Sequence, residues 1–201
     1  MGLYASSVRA DEDQPARRSE SNLQVMQKLV EAAGKEIAAN LTHAHGDSIT
    51  LRCSAGDDRW IIQNGLTASL KASGFQVFTT NDSLSRPRIL ADIHPVNFTV
   101  HYDEMFRDGF LGSKKTRRTV SVELACLLTN PLTGEVFYSG SPKGESTDTV
   151  SVESLPALES PDLKSTHGDV PSETFLDRII EPVVLIGATG VAVYLFFHIR
   201  S

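Results

Sequence analysis

The stretch TVSVELACLLTNPLTGEVFYSG, residues 119–140, decides the fold. Val120, Val122, Leu124, Cys126 and Leu128 recur at every second position, the period of a strand buried on one face. Asn130-Pro131-Leu132-Thr133-Gly134 then supplies turn chemistry, and Val136 to Gly140 returns as a second strand. The two segments predict an antiparallel hairpin.

Upstream, Ile89 to Tyr102 predicts another strand with a change of phase. Ile89, Ala91 and Ile93 share one face, while Val96, Phe98, Val100 and Tyr102 share the other. Pro95 lies between them, so a bulge or bend is expected there. Ser48 to Cys53 alternates with Ile49, Leu51 and Cys53 on one face, and Phe75 to Thr80 reads as a short strand. Helical periods separate these strands. Asn22 to Leu41 carries Leu23, Met26, Leu29, Val30, Ala33, Ile37 and Leu41 at spacings of three and four, with Ser21 or Asn22 as cap. A second helix starts at Asp57 and Asp58, repeats Ile62, Leu66 and Leu70, and ends at Gly74. The expected fold is α+β (mixed α/β) over residues 22–140, two helices packed on a mixed sheet of about five strands.

Beyond the hairpin the composition changes. Residues 141–174 are rich in Ser, Pro and acids, and with Phe175 they hold seven acids against Lys143 and Lys164, most of the net charge of −6. An acidic linker is expected there, although Val150, Val152 and Leu155 allow a short edge strand. The rest of the chain is close to neutral, which argues against a nucleic-acid partner.

Residues 183–197, VVLIGATGVAVYLFF, run fifteen positions without a charge. They are apolar all round rather than along one stripe, with Tyr194 near the end and Arg200 beyond it. Fifteen helical residues reach about 22 Å against a hydrocarbon core of about 30 Å. Starting at Leu176 adds about 10 Å, with Arg178 and Glu181 snorkelling. Residues 175–201 are therefore expected to form a C-terminal transmembrane helix. Gly187, Ala188, Gly190 and Ala192 are its candidate helix-packing residues, since small side chains let helices approach closely in lipid.

Residues 1–21 are expected to be disordered or the remnant of a signal segment. Val8-Arg9-Ala10 resembles a cleavage site but lacks the apolar stretch before it. Met1-Gly2 with Ser6 also matches the short acylation pattern.

A resemblance runs through GDSITLRCS, WIIQNGLTASLKASGFQVF, NFTVHY and TRRTVSVELACLLTNPLTGEVFYSG. Over roughly residues 24–140 the chain resembles the periplasmic assembly domains of the curli-secretion lipoprotein, the flagellar outer-membrane assembly protein and the TolB amino-terminal domain. The hairpin turn with Asn130, Thr133, Gly134 and Glu135 is part of it. The chain departs from those domains in having no lipobox cysteine, Cys53 being deep in the domain, and in its apolar tail. The resemblance implies a scaffold or assembly role in the envelope and transfers no catalytic residue.

Chemistry-bearing patterns are sparse. His43, His45 and Asp47 lack a nameable fourth ligand, and His94 and His101 fall on opposite faces of a regular strand, so no metal is expected. Ser139-Gly140-Ser141 has no base placed by sequence logic. Gly187-Ala188-Thr189-Gly190 lies in the apolar tail and cannot cradle phosphate. Asn40-Leu41-Thr42 and Asn97-Phe98-Thr99 match the glycosylation pattern within regular elements. No catalytic residue and no cofactor are expected. Cys53 and Cys126 are either two buried core residues or a disulfide, the choice depending on strand neighbourhood. Lys114, Lys115, Arg117 and Arg118 form one basic cluster, expected in a loop, as a solvated edge or a contact for anionic lipid or an acidic partner.

The residues thus point to a non-enzymatic, single-pass adaptor or assembly factor of a bacterial envelope, with its globular domain periplasmic or else cytosolic. The alternatives are an accessory subunit docked on a larger membrane complex through its tail, and a tethered ligand-binding domain or enzyme. The expected partners are the membrane and other envelope proteins.

Overall fold

The computed structural model describes residues 19–41, 47–54, 56–79, 88–107, 112–170 and 175–199, with side chains for all of these except 175–182. Ten elements follow in order. They are α1 (Asn22–Asn40), β1 (Ser48–Cys53), α2 (Arg59–Ala72), β2 (Gln76–Phe78), β3 (Ile89–Arg107), β4 (Lys114–Thr129), β5 (Val136–Gly140), β6 (Lys143–Ser151), α3 (Leu155–Leu158) and α4 (Phe175–His198). Six strands form one mixed sheet in the order β2-β1-β3-β4-β5, with β6 also on β4. The strands β2, β1 and β3 are parallel, and β4 runs antiparallel to its neighbours.

The helices α1 and α2 lie on one face of the sheet. Ser21 caps α1 through a reciprocal capping box with Gln24. The α1 stripe of Met26, Val30, Ala33 and Ile37 meets Val120, Val122, Leu124 and Leu128 of β4 in one core. α2 adds Ile61, Ile62, Leu66 and Leu70. Asp58 stands at its N-cap without a side-chain cap bond and accepts instead from Ser165. The helices cross closely because glycines face them: a Cβ on Gly65 would come 2.7 Å from Val30 Cγ1. Gly74, at φ +91°, ends α2 where a left-handed residue is needed.

The hairpin and the bulge follow the alternation. The register shifts between Pro95 and Asn97, which brings Phe98, Val100 and Tyr102 into the buried phase, while Val96 stays on the surface. The hairpin is longer than its apolar part. β4 begins at Lys114, so the expected basic loop is strand, paired with Tyr102 to Arg107 and with β6.

The expected linker is also largely folded. Glu123 lies opposite Lys143 in the register that sets Cys126 opposite Gly140, and Leu124 N–H bonds Pro142 O at 3.1 Å between them. β5 and β6 thus form one edge along β4, and the boundary expected at residue 140 falls inside it. Alternation could not show this, because the inward face of β6 carries Gly144, Ser146 and Asp148 before Val150. After β6 the chain forms a strap, with Leu155, Leu158 and Leu163 buried.

One buried polar junction binds these parts. Arg118 is 1% exposed. Its Nε and Nη2 donate to Asp148 Oδ1 and Oδ2 at 2.8 and 2.5 Å, and its Nη1 donates to Glu20 O and Asn22 Oδ1, each at 2.7 Å. Asn22 donates onward to Tyr102 Oη at 2.9 Å and to Thr166 O at 2.7 Å. Gly168 then lies flat on the Tyr102 ring, where a Cβ would come 2.7 Å from Cε2.

The tail forms a helix, α4, as expected, but a membrane crossing is not supported. Among the described residues, no helix is long and apolar enough to cross a membrane. The uncharged run Val183–Phe197 covers fifteen of the 24 residues of α4, about 22 Å of its length.

Replacing Asp148 with Ala should leave the buried Arg118 charge half-paired. Breaking a buried pair costs about 3–5 kcal/mol, and the 43% exposure of the Asp148 side chain puts the loss at the low end. The double variant Arg118→Met/Asp148→Leu should lose less. Urea unfolding of the full chain in detergent checks this, and an equal or larger loss in the double variant contradicts it.

Candidate functional site

The alternation that buries one side of the sheet turns the other outward. Lys115, Arg117, Thr119, Ser121, Glu123, Ala125 and Leu127 of β4 lie on this open face, because their even-numbered neighbours face the helices. Asp92 pairs in register with Leu127 and with Arg52, and His94 with Ala125. A cleft of about 650 Å³ runs across these rows, lined by Arg52, Asp92, His94, Leu127, Ser139 and Ser141.

The polar groups that line the cleft among the described residues include Arg52, Asp92, His94, Ser139 and Ser141. Arg52 and Asp92 form a two-pronged ion pair, with Nη2 at 2.7 Å from Oδ2. Hydrogen bonding to Asp92 and its charge push the guanidinium further up, so the pair is closed on itself. Ser139 lies on β5 and His94 on β3, with β4 between them. Two strand spacings set their backbones about 9.5 Å apart. No group of three metal-ligating side chains occurs among the described residues.

The bulge has a consequence for the histidines. A regular strand would put His94 and His101 on opposite faces; the extra residue at Pro95 brings both outward, beside Ala125 and Thr119. They still stand about 20 Å apart along the strand and share no ligand. Asp47, the third member of the other histidine group, pairs with Arg88 at 3.0 Å. His43 and His45 lie outside the described residues, as do Met1, Gly2, Ser6 and the 8–10 segment.

Cys53 and Cys126 are free and buried. Cys53 pairs with Ile93, and Ile93 pairs with Cys126, so the thiols share one row with a whole strand between them. That separation of about 9.5 Å exceeds the roughly 7 Å limit for a disulfide. The expected alternative of a bond is corrected by this row. Burial pushes Cys53 up to about 11 and Cys126 up to about 12.

The basic cluster does not stay together. Arg118 turns inward to Asp148, in the phase of Val120 and Val122. Lys115 and Arg117 turn outward, and Phe106, opposite Lys115, is 46% exposed beside them. Lys114 faces the helix side, opposite Arg107. The buried junction of Asn22, Tyr102, Arg118, Asp148 and Thr166 escaped the sequence, although Arg118 continues the apolar phase by two and that phase was the available signal.

α4 presents a different surface. Each residue from Leu185 to Ile199 is exposed, including Leu185, Ile186, Val191, Leu195, Phe196 and Phe197. Gly187, Ala188, Gly190 and Ala192 lie on it, and no other described atom comes within 4 Å of a Cβ built on Gly187 or Gly190.

No family model and no curated protein sequence matches this chain. Among solved structures, the C-terminal domain of LpoB from Escherichia coli is similar at 11% identity and a TM-score of 0.34, covering 57% of this chain and 97% of that one. Its Salmonella enterica counterpart gives 15% and 0.32, over 60% and 94%. Lipoprotein GNA1162 from Neisseria meningitidis gives 13% and 0.30, over 71% and 96%. None of these three is one of the families that the sequence resembles. Likeness this distant in sequence and partial in shape transfers no activity, partner or residue.

The thiols give a test of the core. Their ordinary value is 9.0, and both are raised in the folded state. The folded state therefore keeps its protons where the unfolded chain loses them. Stability should be full below pH 9 and fall as the pH rises towards 11, by about 1.4 kcal/mol per pH unit for each thiol. Alkaline urea titrations should flatten in a Cys53→Ala/Cys126→Ala variant, and an unchanged slope contradicts the assignment. Neither thiol should react with a colorimetric disulfide reagent until the protein unfolds.

Proposed function

We propose that this chain is a non-enzymatic, membrane-anchored adaptor or assembly factor of a bacterial envelope. α4 lodges in the bilayer and the α+β body works outside it. The observation that carries this reading is the exposure of α4. An apolar helix open to water along its length is unstable unless lipid or another helix covers it. The backbone of α4 runs 24 residues, about 36 Å, with its three charges, Asp177, Arg178 and Glu181, confined to the first two turns. The resemblance of residues 24–140 supports the periplasmic face as the site of the body.

A second reading has its own observation. The small residues Gly187, Ala188, Gly190 and Ala192 leave the α4 backbone open to close approach. An accessory subunit would use this surface to dock on a core subunit of a larger membrane complex.

On fractionation, the chain should sediment with membranes, resist high-salt and carbonate washing, and require detergent for release. A chain ended after Val170 should stay in the supernatant. Recovery of the full chain in the supernatant without detergent overturns the anchoring. In mild detergent, an adaptor comes out alone and an accessory subunit with stoichiometric partners. Gly187→Leu/Gly190→Leu should disrupt only the latter association.

A further inference from the structure

We infer that the folded body stands directly on the bilayer, with the end of the β3–β4 hairpin that carries Phe106, Lys115 and Arg117 set against anionic lipid headgroups. This rests on the proposed lodging of α4 in lipid.

The distance to the anchor is short. Gly168 is pinned to the body: its N–H donates to Glu159 Oε1 at 3.1 Å, and its Cα packs on Tyr102 so closely that a Cβ would also meet Val100 O at 3.0 Å. α4 begins seven residues later, at Phe175. Seven residues span at most about 25 Å when fully extended. A linker spanning residues 141–174 would have let the body swing far from the membrane; the strap removes most of that freedom.

The pinned point also has a direction. Tyr102 lies opposite Arg118. Lys115 is three residues from Arg118, about 10 Å, while the turn at Asn130 is twelve residues away in the other direction, about 40 Å. The start of α4 therefore lies within reach of the hairpin end and out of reach of the turn.

The chemistry of the two ends differs in the same sense. At the near end, Phe106 and Lys115 stand opposite one another on the open face, with Arg117 one step along it. An aromatic ring flanked by cations suits the headgroup layer, where rings seat at the interface and cations meet anionic heads. Asp103 and Glu104 share this end, and Asp103 is turned to His101 at 3.4 Å. The far end, residues 130–140, carries Glu135 and no base.

The full chain, reconstituted into vesicles of phosphatidylcholine and phosphatidylglycerol, tests this. Ser113→Cys and Leu132→Cys variants place an exposed thiol at the near and far ends, and the buried native thiols take no label. A fluorophore at residue 113 should be quenched several-fold more than one at 132 by a lipid carrying a headgroup nitroxide. Adding Phe106→Ser, Lys115→Ser and Arg117→Ser should reduce that difference, as should purely phosphatidylcholine vesicles. Equal quenching at both positions in a chain that floats with the vesicles overturns the inference and leaves the anchor intact; an acidic protein is then the partner for Lys115 and Arg117. A chain that does not float overturns both.

Discussion

The buried guanidinium of Arg118 is the constraint on which the architecture turns. Removing a full charge from water is costly, and the cost is offset only when nearly every donor finds an acceptor. Four of its N–H groups do so, two on the carboxylate of Asp148, one on Asn22 and one on the carbonyl of Glu20. These partners come from β6, from the start of α1 and from the residue just before its cap. Asn22 spends its amide on Tyr102 of β3 and on Thr166 of the strap. One cation thus requires five parts of the chain to be in place together. Such a junction contributes less to net stability than an apolar core of equal volume. Its value is selectivity, since any slip of β6 by one residue would turn Asp148 away from Arg118.

The rest follows from that registration. With β6 fixed on β4, the strap must cross the helix side of β3, where Leu155, Leu158 and Leu163 find apolar cover. Gly168 then closes on Tyr102, and little chain remains before α4. At most about 25 Å of chain joins Gly168 to α4, while the two longest strands run about 60 and 50 Å. The acidic segment acts as a clamp rather than a spacer.

The cleft on the open face is occupied by an ion pair already satisfied within itself, and its serine and histidine are separated by a strand. What the molecule exposes instead is shape and apolar surface. The open face is polar and carries a cleft, the hairpin end joins an aromatic ring to cations, and α4 exposes apolar side chains from Leu185 to Phe197. Those features suit contact with lipid and protein surfaces, which is the basis of the adaptor reading.

The sequence by itself determined the elements that obey a period. α1, α2, the apolar halves of β3 and β4, and the bulge at Pro95 were legible because burying one face imposes a spacing of 3.6 or 2 on apolar residues. Only the tertiary structure decided what a period cannot encode. β6 was illegible because its inward face is made of Gly144, Ser146 and Asp148, residues chosen for an ion pair and for close packing on α1. Arg118 read as part of a basic loop because a charge in an apolar phase looks like the end of a strand until its carboxylate, thirty residues away, is in view. Cys53 and Cys126 both lay in correct strands, yet their separation depended on β3 inserting between β1 and β4. Strand order, like the partner of a buried charge, is a property of which segments meet, and local spacing carries no record of it.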